Sequence, residues 1–580
     1  MRKAICPAAG SVLLAAYAAY ALLGIRTPGP ADKLVQLAVL FPGILCLAWW
    51  LAGRVRGDLA ASAVRLVGRL GTGRFLCFLS AVLLVFSVWM AYGPLEGTAK
   101  GGDEAAVLFQ ARIFAAGELA APAPPDADTY FPCRHLISRE GMWFGQYTPT
   151  HSILLAPFAA AGISPLLGPL EGVLSLVGLF LLVRIWAGER AARLTSLLLL
   201  ASPFFLMMTP THMAHNSNLM LVVWSLYLIS LYWKEGGFAR AVGSGLLLGL
   251  ALTTKPYPIA VWGLFLGIAL ALGGRKGLKG LAGMALGALP PVAGLLYTNW
   301  VYTGDPLLTP YQLARGDRLL GFGENKAWYP IFGDYRHTLW RSLQLRAREL
   351  ASGATMLFGW PLLSLVPMLA SVALFGRERR LLYLSLTLVG MFLLLLPHSW
   401  PGVIYGPRHY YTFLPVVLYL SLRGLGVLHR AAAGRWAERG GSFVFLTVAG
   451  LFGITLLLYL PERIGEMSGP WLAVESAPYI EAREEAETPA LIFMEASQHG
   501  YPSIYSGLNY TSPFLDGEMI FCVHQSVEED LALIRQFPER SAYLYWVDGE
   551  GEHHVVPWSG ERAGELTPSR ELHRPPPPPE

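Results

Sequence analysis

Two adjacent carboxylates stand just beyond a long apolar run. Residues 75–92 are long and apolar enough to cross a bilayer, and Asp103 and Glu104 follow shortly after. Acidic groups at a membrane surface are costly and need a physical reason. A carboxylate at this place is a candidate general base or charge-stabilising group. The structural alternative is that Asp103 caps a helix over 104–119, with Glu104 favoured by the helix dipole.

Cations occur at other breaks between apolar runs. Lys255, within Leu-Thr-Thr-Lys-Pro, interrupts a hydrophobic stretch, where its ammonium would either meet a bound phosphate or snorkel to the surface. Arg408 and His409 open another apolar run between tyrosines, as phosphate ligands or as anchors in an aromatic belt. These three residues are the predicted phosphate site. Further cations on the same side are Arg134, His135, Arg315 and Arg318.

Four more polar residues are candidate contacts for a substrate or acceptor. Tyr147 and His151 belong to the motif Gln-Tyr-Thr-Pro-Thr-His-Ser. Tyr311 and Gln312 end a loop in which turn residues and aromatics alternate. That loop fits contact with an acceptor or a lipid headgroup, and it fits ordinary loop structure equally well.

Histidines and cysteines do not form a recognisable metal motif. His212 and His215 are three residues apart on a predicted helix, but no neighbouring acid completes a ligand set. Hydrogen bonding to substrate, or plain interfacial polarity, is favoured over zinc. Of five cysteines, only Cys133 and Cys522 are predicted outside the membrane on one side, which would permit a disulfide without otherwise supporting one.

The composition is that of an integral membrane protein. Of 580 residues, 54% are hydrophobic and only 14% are charged, and the mean hydropathy is +0.44. Soluble domains carry about 25% charged residues. The formal net charge of +4 is small and indicates no nucleic-acid partner.

Apolar segments of near-spanning length predict about 11 to 13 transmembrane helices. They are residues 12–25, 34–52, 75–92, 170–186, 194–209, 216–233, 242–253, 258–272, 278–297, 356–375, 381–396, 411–428 and 443–460. With Arg2 and Lys3 in the cytoplasm, Lys and Arg cluster in every second loop, as the positive-inside rule requires. This alternation places all the candidate residues on the outer side.

The outer side also holds the segments that are not predicted to cross. Residues 104–119 and 152–161, both in the first outer loop 93–167, read as helices lying along the membrane surface. After residue 460, short apolar runs at 490–494 and 542–547 flank a helical pattern at 527–536, which predicts a small α/β domain.

Taken together, these motifs resemble the GT-C superfamily of membrane glycosyltransferases. The shared pattern is an acid pair after a transmembrane span, the Gln146 to Ser152 motif followed by an apolar helix, a Leu-Thr-Thr-Lys-Pro segment and a soluble outer end. The chain is most similar to bacterial relatives of protein O-mannosyltransferases and to the aminoarabinose transferase of lipid A. The likeness covers roughly residues 75–460.

The resemblance implies inverting transfer of a sugar from a polyprenyl-phosphate donor on the periplasmic face, usually without a metal and with no cofactor. By this likeness Asp103 matches the first-loop acid proposed as base, and Glu104 matches its frequent acidic neighbour. Gln146 stands where the aminoarabinose enzymes carry a phosphate-binding lysine, so phosphate binding would fall to Lys255 or Arg408. A second-loop acid is also missing, because histidines and amides occupy 212–218.

The predicted fold is therefore a polytopic α-helical membrane protein of GT-C type, with outer surface helices and a small C-terminal α/β domain. We divide it into a two-helix N-terminal segment (1–74), a transmembrane catalytic domain (75–460), a periplasmic α/β domain (461–574) and a disordered proline-rich tail (575–580). The expected location is a bacterial inner membrane, with the N terminus in the cytoplasm. The expected partners are a polyprenyl-phosphate sugar, membrane lipids and a glycan, lipid or protein acceptor.

Two other functions fit parts of this pattern. A transporter or flippase of lipid-linked glycans would also place cations in the membrane, but alternating access needs groups reachable from both faces. A non-catalytic membrane scaffold would use Asp103 only as a helix cap. Glycosyl transfer is favoured because it accounts for elaborated loops on one side only.

Overall fold

A bundle of apolar helices forms most of the molecule, as the composition predicts. The computed structural model describes residues 2–22, 30–316, 320–324, 336–400, 402–468, 477–495, 504–547 and 552–558. Arg318 and the proline-rich end lie outside the described residues, so the predictions for them stay predictions.

Among the described residues, twenty-one α-helices lie between Arg2 and Ser468. They are α1 (Arg2–Leu22), α2 (Pro30–Val35), α3 (Phe41–Ala52), α4 (Leu59–Arg69), α5 (Thr72–Tyr92), α6 (Gly102–Ala115), α7 (Ala127–Tyr130), α8 (Thr150–Ala160), α9 (Leu167–Ala187), α10 (Glu189–Leu200), α11 (Pro203–Met208), α12 (His215–Glu235), α13 (Phe238–Leu252), α14 (Pro256–Ala271), α15 (Gly274–Thr303), α16 (Pro310–Arg315), α17 (Leu339–Met356), α18 (Val366–Ala370), α19 (Arg379–Leu394), α20 (Leu414–Ile454) and α21 (Leu460–Ser468). A π-helical turn joins α2 to α3, and a 3-10 turn, Arg408–Phe413, leads into α20.

The chain is a multi-pass membrane protein. Within the described residues, five helical stretches are long and apolar enough to cross a membrane: Ala31–Ala52, Thr72–Tyr92, Ser164–Ala187, Gly274–Thr303 and Arg408–Ser468. The predicted segment 216–233 is one continuous helix, α12, although it is not among these five stretches. Several other predicted segments are shorter or interrupted. The segment 194–209 breaks at Ser202, ahead of Pro203, because proline cannot continue the hydrogen-bond ladder of the preceding helix. In 356–375, a non-helical stretch separates Met356 from the helical residues 366–374.

The long helix α20 is interrupted in its middle, which separates the last two predicted segments. Trp436 and Ala437 leave the helical region, and Ala437 has a φ of 49°. The ring of Trp49, on α3, packs edge-on against Trp436 with centroids 5.1 Å apart, and the guanidinium of Arg439 lies 3.8 Å from the centroid of Trp49. These contacts fasten the N-terminal helices to the bundle.

The first outer loop folds into a compact unit over the bundle. The two predicted helices of this loop are present as α6 and α8, which pack together through Ala105, Leu108, Ala111 and Leu155. Most of α6 is buried, so its position along the membrane surface stays a prediction. Beside them lies an antiparallel sheet of β1 (Ala121–Pro122), β2 (Leu136–Arg139) and β3 (Met142–Gly145), in the order β1-β3-β2. A separate antiparallel pair, between α16 and α17, is formed by β4 (Gly323–Glu324) and β5 (Arg336–His337).

The C-terminal region contains the predicted α/β domain. Its sheet has the order β7-β6-β8-β9, in which the first three strands are parallel and β9 is antiparallel. The strands are β6 (Ala490–Met494), β7 (Met519–Val523), β8 (Ser541–Val547) and β9 (His553–Pro557), with α22 (Ala477–Glu485), α23 (Ile504–Tyr510) and α24 (Val527–Ile534). All of β6 is buried, which explains its uniformly apolar sequence.

This domain packs on the first outer loop. Phe109 and Trp143 of the loop share one buried cluster with Ile520 and Leu544 of the sheet. Arg112, on α6, donates to the carbonyl oxygens of Leu508 at 2.7 Å and Thr511 at 3.3 Å, and also to that of Asn509. The domain therefore supports the helix that begins at the acid pair.

The cysteines of this interface are not linked. Cys133 and Cys522 are both buried in the same apolar cluster, yet both are free thiols. The disulfide that the sequence permitted is absent, and both residues serve as small apolar groups between the loop and the sheet.

Loss of the Arg112 side chain is predicted to loosen the C-terminal domain. Arg112→Ala leaves three backbone carbonyls without their donor, so limited proteolysis in detergent should release the C-terminal fragment about tenfold faster. Arg139→Ala is the matched control, because Arg139 pairs with its exposed neighbour Glu140 on the same loop. Equal cleavage rates for Arg112→Ala and wild type would contradict this account of the interface.

Candidate active site

Asp103 lies in the first turn of α6, and its side chain does not cap the helix. The N-cap of α6 is Gly101, and no side chain caps the helix, so the capping role considered for Asp103 is wrong. Instead, Tyr147 Oη donates to Asp103 Oδ1 at 2.8 Å, and Arg408 Nη1 lies 3.3 Å from Oδ2. The Asp103 side chain is 28% exposed, so the carboxylate is open on one side.

The surroundings of Asp103 keep its carboxyl group ionised. Burial alone would raise its pKa, but the positive charges of Arg408 and Lys255 and the hydrogen bond from Tyr147 together hold that pKa well below the usual range. His135 lies 3.7 Å from Asp103, and burial lowers the pKa of this histidine to about 3. It is therefore a neutral neighbour at physiological pH.

Glu104 has a different environment from that of its neighbour. Its side chain is 2% exposed, and its oxygens accept hydrogen bonds from Tyr405 Oη at 2.8 Å and from the backbone N–H of His212 at 2.9 Å. Successive helical residues point about 100° apart, so Asp103 and Glu104 cannot face the same space. Glu104 fastens α6 to the bundle and does not line the cavity described below.

A tight turn presents Arg408 to Asp103. Tyr405 and Gly406 both have positive φ, 60° and 109°, which is an unusual conformation for a tyrosine. Gly406 is required here, because a Cβ would come within 2.5 Å of the Phe204 ring. The hydrogen bond from Tyr405 to Glu104 stabilises the turn, so the acid pair and the turn hold one another in place.

Lys255 lies in the connection between α13 and α14. Thr148 and Thr150 of the first outer loop bind this connection: Thr148 Oγ1 donates to the Thr254 carbonyl at 2.9 Å, and Thr150 Oγ1 lies 2.6 Å from Thr253 Oγ1. Burial and the nearby charge of Arg408 lower the pKa of Lys255 to about 7. A bound anion would offset both effects and favour the ammonium form.

These groups share one cavity of about 320 Å³ at the end of the bundle that carries the first outer loop. Of the residues predicted from sequence, the cavity is lined by Asp103, Tyr147, His215, Lys255, Tyr311, Gln312, Arg408 and His409. They come from segments far apart in the chain. Eight residues that the sequence analysis placed on one side of the membrane thus line a single cavity.

Several lining residues already have structural partners. His409 Nδ1 lies 2.8 Å from Glu349 Oε1. Gln312 forms a capping box with Thr309 at the start of α16, and the ring of Tyr311 packs on that of Tyr147 with centroids 5.8 Å apart.

His215 differs from the other lining histidines. Its side chain is buried, and neither ring nitrogen has a hydrogen-bond partner among the described residues. Since an unpaired buried polar group is costly, this ring is available to a ligand in the cavity.

Two predicted substrate contacts lie outside the cavity. His151 is buried between Ser217 Oγ at 2.7 Å and the His212 carbonyl at 2.8 Å. His212 Nε2 lies 3.1 Å from Ser164 Oγ. Both rings join helices within the protein, so the structure places them as packing residues and does not support the substrate contacts expected from sequence. Gln146, at the expected phosphate-lysine position, is also buried away from the cavity.

Part of the cavity wall was not predicted from the sequence. Tyr257, His398, Trp400 and Thr412 also line the cavity. Their common signal is a polar or aromatic residue at the outer end of an apolar segment, which is too frequent in membrane proteins to be specific. No group of three or more His, Cys, Asp or Glu within the described ranges is arranged to hold a metal ion.

The fold is similar to that of solved membrane glycosyltransferases. ArnT from Cupriavidus metallidurans, bound to undecaprenyl phosphate, matches with a TM-score of 0.52 and 14% identity over 85% of this chain and 100% of that one. The apo form matches with a TM-score of 0.51, 14% identity and coverage of 85% and 99%. At this identity the likeness establishes the fold, and the GT-C fold expected from the sequence is confirmed.

Other comparisons are weaker or more local. The oligosaccharyltransferase of Archaeoglobus fulgidus matches at 12% identity over 83% of this chain and 73% of that one, with a TM-score of 0.43. The family model of dolichyl-phosphate-mannose-protein mannosyltransferases matches residues 166–296. Among curated proteins, none matches the chain in sequence.

The buried Glu104 is predicted to make stability depend on pH. Burial raises its pKa from 4.5 to about 7, so the folded protein holds this proton more tightly than the unfolded chain does. This carboxyl group therefore lowers the free energy of unfolding by roughly 3 kcal/mol as pH rises from about 4.5 to about 7. Glu104→Gln should remove that fall, because a neutral amide can make both hydrogen bonds.

Thermal unfolding of both forms in detergent at pH 5 and pH 8 measures the difference. Asp103 is unchanged in both proteins, so its opposite pH dependence cancels. An identical pH dependence in wild type and Glu104→Gln would show that Glu104 is not buried with a raised pKa.

Proposed function

We propose that the protein is a membrane glycosyltransferase that moves a sugar from a polyprenyl-phosphate donor to an envelope acceptor at the outer face of a bacterial inner membrane. One observation carries this proposal: the carboxylate of Asp103 and the cations Arg408 and Lys255 line the same cavity. Glycosyl transfer from a lipid phosphate needs a base near the acceptor and positive charge at the leaving phosphate. The fold shared with ArnT, which was solved with undecaprenyl phosphate, supports the same class of donor.

In this proposal the acceptor hydroxyl attacks the anomeric carbon of the sugar. The new bond joins the acceptor oxygen to that carbon, while the bond from the carbon to the phosphate oxygen breaks. The hydroxyl proton passes to Asp103, and the polyprenyl phosphate leaves with the bonding electron pair. Arg408 and Lys255 stabilise the charge on that phosphate.

The pairing of Asp103 with Arg408 links donor binding to base strength. In the free protein, Arg408 helps hold the pKa of Asp103 well below the usual range, which makes the carboxylate a weak base. A donor phosphate that shares the Arg408 guanidinium would weaken this pairing and raise the pKa of Asp103. The base would then be strongest when the donor is in place.

Asp103→Asn is predicted to lose transfer with the fold intact. The amide can keep the Tyr147 hydrogen bond, but it cannot accept a proton, so the rate should fall by about 10²- to 10⁴-fold. The assay is transfer from radiolabelled polyprenyl-phosphate sugars into envelope fractions at equal expression. Glu118→Gln is the matched control, because Glu118 is an exposed carboxylate in the same loop. Equal transfer by Asp103→Asn and wild type would remove Asp103 from the mechanism.

Lys255→Ala is predicted to act on donor binding. Loss of the ammonium should raise the KM for the lipid donor about tenfold, with a smaller effect on kcat. Lys279→Ala, at an exposed lysine on α15, controls for loss of a positive charge. An unchanged donor KM would exclude Lys255 as a phosphate ligand. No transfer by wild type from any donor of proven competence would favour transport or a scaffold role.

A further inference from the structure

A network of buried charged side chains holds one wall of the cavity in place. Arg346 and Glu349 lie three residues apart on α17, and both side chains are fully buried, with Arg346 Nη1 3.1 Å from Glu349 Oε2. Arg346 Nη2 also donates to the Trp400 carbonyl at 3.1 Å. Burial raises the pKa of Glu349, while the guanidinium facing Oε2 opposes this effect and favours the ionised carboxylate.

Glu349 fixes the orientation of the His409 ring. Its Oε1 lies 2.8 Å from His409 Nδ1 and accepts from the Gly402 N–H at 3.2 Å. An ionised carboxylate can only accept hydrogen bonds, so Nδ1 carries the ring proton. Arg408 and Lys255 line the same cavity as this ring, and repulsion between like charges favours a neutral ring there. The remaining nitrogen, Nε2, therefore presents a lone pair.

The Nε2 atom of His409 is open to a ligand. It makes no hydrogen bond with any residue in the described part of the chain, and the ring lines the cavity that contains Asp103. A Cβ at Gly402 would come within 2.6 Å of both Cε1 and Nε2 of this ring. A glycine at that position therefore allows the ring to pack closely on the turn and to keep its orientation.

A lone pair in this place selects the chemistry of its partner. A phosphodiester anion has acceptor oxygens only, so it would be repelled by Nε2 and attracted by the guanidinium of Arg408. A sugar hydroxyl, in contrast, is a donor. The two neighbouring residues Arg408 and His409 would therefore contact different parts of one donor molecule.

We propose that His409 Nε2 accepts a hydrogen bond from a hydroxyl of the sugar that is transferred, and that Glu349 and Arg346 are positioning residues for this contact. The inference rests on the proposed function and deepens it. It replaces the assignment of His409 to the donor phosphate, which the sequence suggested, by a role in recognising the sugar.

Two lipids test this proposal, a phosphate monoester without sugar and the phosphodiester that carries it. Equilibrium binding to purified full-length protein is measured for undecaprenyl phosphate and for the undecaprenyl-phosphate sugar that wild type transfers, at about pH 8, where the monoester is ionised and has acceptor oxygens only. His409→Phe should weaken binding of the sugar-linked lipid about tenfold, the effect of losing one hydrogen bond, and change binding of the bare lipid less than about twofold. His554→Phe, on the edge strand β9, is the control for loss of a histidine.

A second variant separates positioning from folding. In Glu349→Gln the amide can donate to His409 Nδ1, which moves the ring proton to Nε2 and removes the acceptor. We expect the same selective loss of affinity for the sugar-linked lipid. Since the buried Arg346 guanidinium loses its carboxylate partner, the thermal unfolding temperature in detergent should fall, and unchanged binding of the bare lipid is the readout that the variant is folded. A histidine that only packs would show no selective loss in either variant.

Other results would overturn the inference in distinct ways. An equal loss of affinity for both lipids in His409→Phe would identify the ring as a phosphate ligand. An unchanged affinity for both lipids would exclude any contact between the ring and the donor. A wild-type protein that binds neither lipid would overturn the proposed function itself.

Discussion

The protein has to neutralise a negative charge that lies beside a membrane. The site is built around the groups that neutralise the Asp103 carboxylate. Its partners, Tyr147 and Arg408, come from the first outer loop and from the turn before α20. Glu104, the next residue, binds the same turn through Tyr405. Asp103 and Glu104 thus both join α6 to the bundle, while only the Asp103 carboxylate remains accessible to a ligand.

The rest of the outer side holds this arrangement in place. Thr148 and Thr150 connect the first outer loop to the segment that carries Lys255, and Arg112 connects α6 to the C-terminal domain. Catalytic groups need support of this kind, because small displacements lower the rate of a reaction strongly. The C-terminal domain is, in this account, part of the framework that positions the acid.

Much of this could be predicted from the sequence, because membrane helices and outer loops leave strong compositional signals. The positive-inside rule alone predicted that Asp103, Lys255 and Arg408 lie on the same side of the membrane. The different roles of Asp103 and Glu104 could not be predicted, because they depend on the exact start of α6.

Contacts between distant segments were also beyond sequence reasoning. The sequence analysis did not identify Arg346 and Glu349, whose side chains form a fully buried pair. His151 and His212 read as site residues, although their hydrogen-bond partners turned out to lie within the bundle. One sequence does not show which helices pack together, so it does not show which polar residues satisfy one another.

The most direct test of the central claim is a cryo-electron microscopy structure of the full chain with undecaprenyl phosphate. The account predicts density for the phosphate in the cavity, within hydrogen-bonding distance of Arg408 and Lys255 and beside Asp103. A phosphate bound elsewhere on the bundle, with the cavity unchanged, would contradict it.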